Sequence, residues 1–323
     1  MGKGTGGDHG DRVRRMLDDR ADAARSAVAA SWRRSMTLHG LDPEDRGGVE
    51  TLTAEELRQA QQAMEPMTRA AQGVLDRLFL AVGDTGCCVL LCNAEGVAVE
   101  RRGASADDET FHRWGLWTGA VWSEATEGTN GIGTALAEHR PLTIDRDQHF
   151  HSRNTAMACT SHPIHDPRGR LAGLLDVSSC RADATEGVMR LIAGAVADAA
   201  RAIEAQTFRQ HFHDARIVLA GDAAERNTAA LLAVDRHDLV IGATRAARLA
   251  LSITDERIAG QLAAAEVLAA GSVETDLLEA ERGAVRRALA INNGNVSAAA
   301  RALGVSRATL HRKLNRLGLG DHN

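Results

Sequence analysis

Towards one end of this chain, basic and hydroxyl side chains recur at helical spacing: Arg301, Ser306, Arg307, Thr309, His311, Arg312, Lys313 and Arg316. An arginine fork matches the two acceptors of a guanine edge, and threonine can meet a thymine methyl. Arg307, Thr309, His311 and Arg312 are therefore expected at base edges. Arg301, Lys313 and Arg316 suit phosphates, which fix position without reading sequence. Ser306 is placed to cap the helix that carries them. A second set lies mid-chain. Trp114, Trp117 and Trp122 share one short segment of a chain with four Trp, five Phe and no Tyr. Large rings with one polar N–H suit a pocket wall, or equally a plug in a core. Glu127-Gly-Thr-Asn-Gly-Ile-Gly133 leads into a helix through Thr129 and Asn130. Amides at such a helix start attract anions, and the same residues can simply cap it.

Four histidines, His149, His151, His162 and His165, bracket Cys159. Imidazole and thiolate are ligands for zinc, iron or haem. The spacing matches no recognised metal motif, so no cofactor or metal is expected, and pocket-edge or surface imidazoles are the plainer reading. The cysteines are Cys87, Cys88, Cys92, Cys159 and Cys180. An odd number without a CxxC pair does not make a secreted disulfide framework. Cys88, Leu90 and Cys92 share one face of a strand, with Cys87 on the other, and thiols so placed are normally inert packing.

The elements that must position these groups follow from periodicity. A helix is expected over Asp18–His39, stopped by Asp42-Pro43, then helices over Ala54–Met64 and Met67–Val82. Gly86–Cys92 and Val97–Arg101 read as a hairpin around Asn93-Ala-Glu-Gly96. Pro141–Ile144, Ala156–Ile164 and Leu171–Val177 read as further strands, and Ala184–Phe212 as a helix. This order predicts an α+β fold with an antiparallel sheet. Residues 231–249 offer two short strands about a polar turn and an Ala-rich helix. The tail begins with a helix ended by Asn292-Asn293-Gly294. Asn295 caps an alanine-rich second helix, Gly304 turns, Val305 plugs, and Leu310, Leu314 and Leu317 stripe the third. From Arg282 onward, eight basic residues face Asp321 alone, in a chain of net charge −5. A basic tail on an acidic body is the footprint of a DNA binder. No apolar run approaches the roughly 20 residues that span a bilayer, and no apolar signal core opens the chain. The match of MGKGTG to a myristoylation pattern is loose, so a cytoplasmic protein without membrane contact is expected.

The tail from Leu277 to Leu319 resembles the Fis-type helix-turn-helix family, above all in NGNVSAAARALGVSRATLHRKLNRLGL. That resemblance implies a dimeric unit that binds double-stranded DNA. Ser31 to Val196 is similar to the GAF sensor domain of acetoin-catabolism-type transcriptional activators, in SWRRSMTLHGLDP and in the run from EGTNGIGTALAEHRPLTIDRDQHF to LAGLLDVSS. It implies a six-stranded antiparallel sheet with a small-molecule pocket over one face. The candidate effector-binding set is Trp114, Trp117, Trp122, Thr129, Asn130, His149, Phe150, Met157 and Cys159.

Such activators carry an ATPase between sensor and tail, with a GxxxxGK[ST] loop for nucleotide phosphates. The chain holds no such string. The expected organisation is a disordered tip (1–17), N-terminal helices (18–66), a GAF-like sensor (67–205), a small mixed linker or reduced PAS-like dimerisation segment (206–272) and an all-α helix-turn-helix (273–319). The expected function is an effector-responsive homodimeric regulator, not an enzyme, that occupies DNA or recruits RNA polymerase. Two alternatives stay open: a GAF-fold thiol enzyme of the free methionine sulfoxide reductase type, and an architectural DNA-binding protein.

Overall fold

Residues 6–16, 26–181, 185–220, 230–268 and 277–319 are described by a computed structural model. Two units form: one from residues 1–166 and 171–207, the other from 167–170 and 208–323. Expectations for residues 1–5, 17–25 and 269–276 fall outside the described residues.

The first unit opens with α1 (Gly6–Arg15), α2 (Ala27–Thr37) and α3 (Ala54–Val82). The Ser26 side chain caps α2, and Thr53 with Glu56 makes a reciprocal capping box for α3. The expected break between Met64 and Met67 does not occur, and α3 is one helix with Pro66 inside it. Pro66 lies on the exposed side, where a lost backbone bond is replaced by water, while Met64 and Met67 on either side of it are buried. Next come β1 (Cys87–Asn93), β2 (Ala98–Arg102), α4 (Asp108–Arg113), α5 (Glu124–Glu127), α6 (Gly131–Glu138), β3 (Leu142–Asp145), β4 (Ala158–His165), β5 (Leu171–Ser179) and α7 (Glu186–His211). The sheet is antiparallel in the order β2-β1-β5-β4-β3. It has five strands, not the six that the resemblance implied. Val97 and Thr51 make only isolated bridges, to Val121 and Ala120, so the stretch before α5 stays irregular at the sheet edge.

Alternation gives the sheet two buried faces. On one, Val89, Leu91, Leu175 and Val177 pack against α3 and α7. On the other, Cys88, Leu90, Cys92, Cys159 and Leu174 pack against Phe111, Leu116, Trp122 and Ile132. This second face is the inner face of the sheet. It is roofed by α6 and the irregular segment that holds the tryptophans.

In the second unit, β6 (Arg216–Leu219), β7 (Leu231–Val234) and β8 (Val240–Ala243) form an antiparallel sheet in that order. Helices α8 (Arg245–Leu251), α9 (Asp255–Ala259) and α10 (Ala264–Leu268) close over it. Leu232, Val234, Val240, Ile253, Leu262 and Val267 form its core. Then come α11 (Leu277–Ile291), α12 (Val296–Ala302) and α13 (Arg307–Arg316).

The glycines of EGTNGIG set the approach of α6. A Cβ on Gly133 would collide with the backbone of Trp122 and Glu124. Gly133→Ala is expected to destabilise the chain by roughly 1–3 kcal/mol, read as a lower urea midpoint. Gly73→Ala, on the exposed face of α3 and meeting only Arg77 at 3.5 Å, is its control. The control should gain roughly 0.5–1 kcal/mol from the helix interior. An unchanged midpoint for Gly133→Ala would contradict the close approach.

Candidate effector site and nucleic-acid interface

The inner face is apolar except at its centre. Register sets Ser161 beside Asp176 and Cys159 beside Ser178 on adjacent strands. Ser161 Oγ donates to Asp176 Oδ1 at 2.5 Å and Ser178 Oγ to Oδ2 at 2.6 Å. Ser178 Oγ also lies 3.1 Å from Cys159 Sγ. His149 stands on the other side of that sulfur, with Nε2 at 3.4 Å. Its Nδ1 lies 2.9 Å from the Arg146 carbonyl, which can only accept, so Nδ1 carries the proton and Nε2 is bare. Burial lowers His149 to about 4, which keeps the ring neutral near pH 7. Gly131, the first residue of α6, sits directly above: a Cβ there would press on Cys159 and reach within 3.1 Å of Asp176 Oδ1. Asp176, Ser161, Ser178, Cys159 and His149 are thus one buried polar cluster under the start of a helix.

The other expected effector residues divide. Met157 and Trp122 are core of the inner face, and Trp122 Nε1 donates to the Gly115 carbonyl at 2.9 Å. Trp114 and Trp117 are half-buried in the roof, with Trp117 lying 4.1 Å over the Arg101 guanidinium. Asn130 caps α6 by accepting from Gly133 N at 2.8 Å. Phe150 is turned away from the inner face, into a cluster with Val13 and Trp32. Thr129 meets Ser31 Oγ at 2.7 Å, and Ser31 also donates to Glu124 at 2.7 Å. Arg34 forks onto the same Glu124, which holds the arginine above its ordinary value. The SWRRS segment is therefore a clamp that ties α2 to α5 and α6.

The histidines do not converge. Cys159 is on the inner face and His162 on the other, as alternation requires. His165 Nδ1 pairs with Glu204 of α7 at 2.7 Å. Neither ring nitrogen of the buried His151 has a hydrogen-bond partner among the described residues. No group of three His, Cys, Asp or Glu able to hold a metal occurs among those residues. Burial pushes the Cys88, Cys92 and Cys159 thiols well up, and Cys180 to about 12. A thiol so held is a poor nucleophile, because the thiolate is the reactive form.

In the second unit, Leu310, Leu314 and Leu317 bury against Val285, Leu289, Ala299 and Ala300. Ser306 caps α13 by accepting from Thr309 N at 3.1 Å. The opposite side of α13 exposes Arg307, His311 and Arg312, and Arg301 is exposed on α12. Thr309 is only half-buried, with its hydroxyl 2.8 Å from Ser306 Oγ. Lys313 and Arg316 both pair with Glu281 of α11. Two further pairs, Asp238–Arg286 and Glu266–Arg287, join the small sheet module to α11, and Arg286 also lines a cavity of about 840 Å³.

Residues 15–204 match the family described as MimR, N-terminal domain, which is more than half of the chain. The chain belongs to that family. Residues 277–317 match the bacterial regulatory protein, Fis family. Only residues 205–276 separate the two matches, so the chain lacks a full AAA+ domain between them. The acetoin catabolism regulatory protein of Cupriavidus necator is 33% identical over 227 residues, 69% of this chain and 34% of that protein. The acetoin dehydrogenase operon transcriptional activator AcoR of Bacillus subtilis is 31% identical over 176 residues, 54% of this chain and 29% of that protein. The chain thus spans about a third of the length of the curated relatives it matches. The crystal structure of the E. coli DhaR(N)–DhaL complex superposes with a TM-score of 0.51 at 15% identity, over 71% of this chain and 76% of that one. At that identity the likeness concerns fold alone, an α+β architecture with an antiparallel sheet.

Asp176 was not singled out from sequence. Its signal was a lone acid at an inward position of an otherwise apolar strand. Burial pushes its carboxyl up from 3.8 to about 6, with the two serine hydroxyls pulling the other way. A raised folded-state value means that the folded chain holds the proton longer. The stabilisation is complete below 3.8 and is lost as pH rises through about 6. Relative to Asp176→Asn, wild-type stability should therefore fall by roughly 3 kcal/mol across that window. Parallel stability–pH curves for the two proteins would show that water reaches the carboxyl.

Proposed function

We propose that the chain is an effector-responsive, sequence-specific, homodimeric DNA-binding transcription regulator of the cytoplasm that works without ATPase activity. The coarser part of this reading is shared by the family: the homologues are transcriptional regulators with a Fis-type helix-turn-helix. The finer part is carried by one observation. Arg307 and Arg312 stand exposed on the outer side of α13 and make no ion pair among the described residues, whereas Lys313 and Arg316 are held by Glu281. Two unpaired guanidinium forks on the exposed side of a capped, core-backed helix, Arg307 at its first residue and Arg312 mid-way along it, have the chemistry to read guanine edges. Arg301, with Lys313 and Arg316 once Glu281 releases them, would supply phosphate contacts.

The effector would enter the inner face of the sensor, at the cluster around Asp176. A buried carboxyl with two hydroxyl partners is the polar centre of an otherwise apolar face, the composition expected of a small-molecule site. The output would pass along α7, which starts in the first unit and ends in the second. Dimers set half-sites about one DNA turn apart, so a small change at the helix would alter affinity. The module of β6–β8, as a reduced PAS-like segment, would support self-association. Without an ATPase, the bound dimer itself would be the effector of transcription, by occupying the promoter or recruiting RNA polymerase.

The test is selection of a DNA site with the full chain, followed by substitution. Arg307→Ala and Arg312→Ala are each expected to cost roughly 1–3 kcal/mol on the selected site and to relax its sequence preference. Unaltered affinity and preference in both variants would refute the assignment of α13 as the reader.

A further inference from the structure

At the β2 edge of the inner face lies a guanidinium with two nitrogens that make no hydrogen bond among the described residues. Arg101 is on β2, opposite Leu90, and Leu90 is opposite Asp176, itself opposite Ser161. These four side chains form one row across the inner face. The Arg101 side chain is 11% exposed. Its guanidinium lies 4.1 Å from the Trp117 ring and 5.5 Å from Phe111. A Cβ on Gly103 would collide with it, so the chain leaves room for the arginine there.

Buried arginines normally satisfy their fork, and an unmade buried hydrogen bond calls for a cause. Arg101 Nε and Nη2 are both buried without a hydrogen-bond partner among the described residues. Those two nitrogens are one edge of the guanidinium, the edge that grips a carboxylate with two parallel bonds. The nearest anion is Asp108. Its Oδ1 comes within 2.9 Å of Nη2, yet that oxygen also lacks a hydrogen bond. The contact is therefore off-axis, an electrostatic neighbour and not a seated fork. Asp108 is itself 41% exposed, so it can turn out to solvent and open the edge from the rim.

We infer that Arg101 anchors the carboxylate of a small aliphatic acid, with Asp108 as an occluding stand-in and Trp117 as the lid over the charged end. Cation–π contact with Trp117 holds the guanidinium plane in place, which lowers the ordering cost of a two-bond grip. This inference rests on the reading of the inner face as the effector site, and it adds the class of effector: an anion, not a neutral alcohol or ketone.

The experiment is calorimetric titration of the full chain with acetate, propionate and butyrate, against propanol and butanone as neutral counterparts. DNA affinity for the selected site is measured in parallel. At least one carboxylate is expected to bind, and Arg101→Lys, which keeps the charge but loses the fork, should weaken it on the order of tenfold. Asp108→Asn should tighten it several-fold by removing the competitor. That variant alters an exposed side chain and tests the inference even if changes at Arg101 impair folding. Carboxylate binding that is indifferent to both substitutions overturns the inference. So does the absence of any carboxylate binding up to about 10 mM, whether or not the neutral probes bind. Neutral probes that bind and shift DNA affinity would leave the effector-responsive reading standing without it. Carboxylates that bind as expected with no change in DNA affinity would leave Arg101 as the anchor and remove the regulatory reading.

Discussion

Asp176 is the constraint around which the sensor is arranged. It is an ionisable group in a central strand of a sheet whose two faces are both covered, so no water is available to solvate it. Two serines from the inner face, Ser161 and Ser178, supply the hydrogen bonds that water would have made. Gly131 brings the start of α6 onto it, and a side chain there would not fit. Because α6 must sit so low, Gly133 meets the backbone of α5, and Glu124 at the start of α5 is drawn into the clamp with Ser31 and Arg34. The polar residues that punctuate the sensor sequence are therefore parts of one packing problem.

That arrangement explains why the helix-turn-helix tail was legible from sequence and the candidate effector site only partly so. Each device in the tail is local: Asn295 and Ser306 cap the helices they precede, Gly304 takes a left-handed φ of 65°, and Leu310 and Leu314 follow the helical period. Five strands of the sensor were legible too, since each is a short apolar or alternating run bounded by turn residues. Phe150 was misplaced because its neighbours Val13 and Trp32 lie far away in sequence. The break expected between Met64 and Met67 failed for the converse reason: the chain runs on through Pro66 because Met64 and Met67 are both buried.

Arg101 shows where pattern reading fails in physical terms. Ala98 points to the inner face, and strict alternation would send Arg101 to the other one. A register shift between Leu91 and Cys92 leaves Val99 as an extra residue in β2, and every side chain beyond it changes face. Arg101 is thereby turned inward while Glu100 and Arg102 meet Gln72 of α3. A one-residue bulge decides whether this face carries a cation, and nothing in the spacing of the strand announces it.

The two units joined by α7 make a regulator only if the inner face and the DNA reader are energetically coupled, and coupling is reciprocal. DNA bound at α13 must then change the stability of the sensor, whatever the effector is. Hydrogen exchange of the full chain with and without its selected DNA site measures this directly. The account predicts slowed exchange in α13 together with altered exchange in β4 and β5 around Asp176. Protection confined to α11–α13, with the sensor strands exchanging identically in both states, would contradict it.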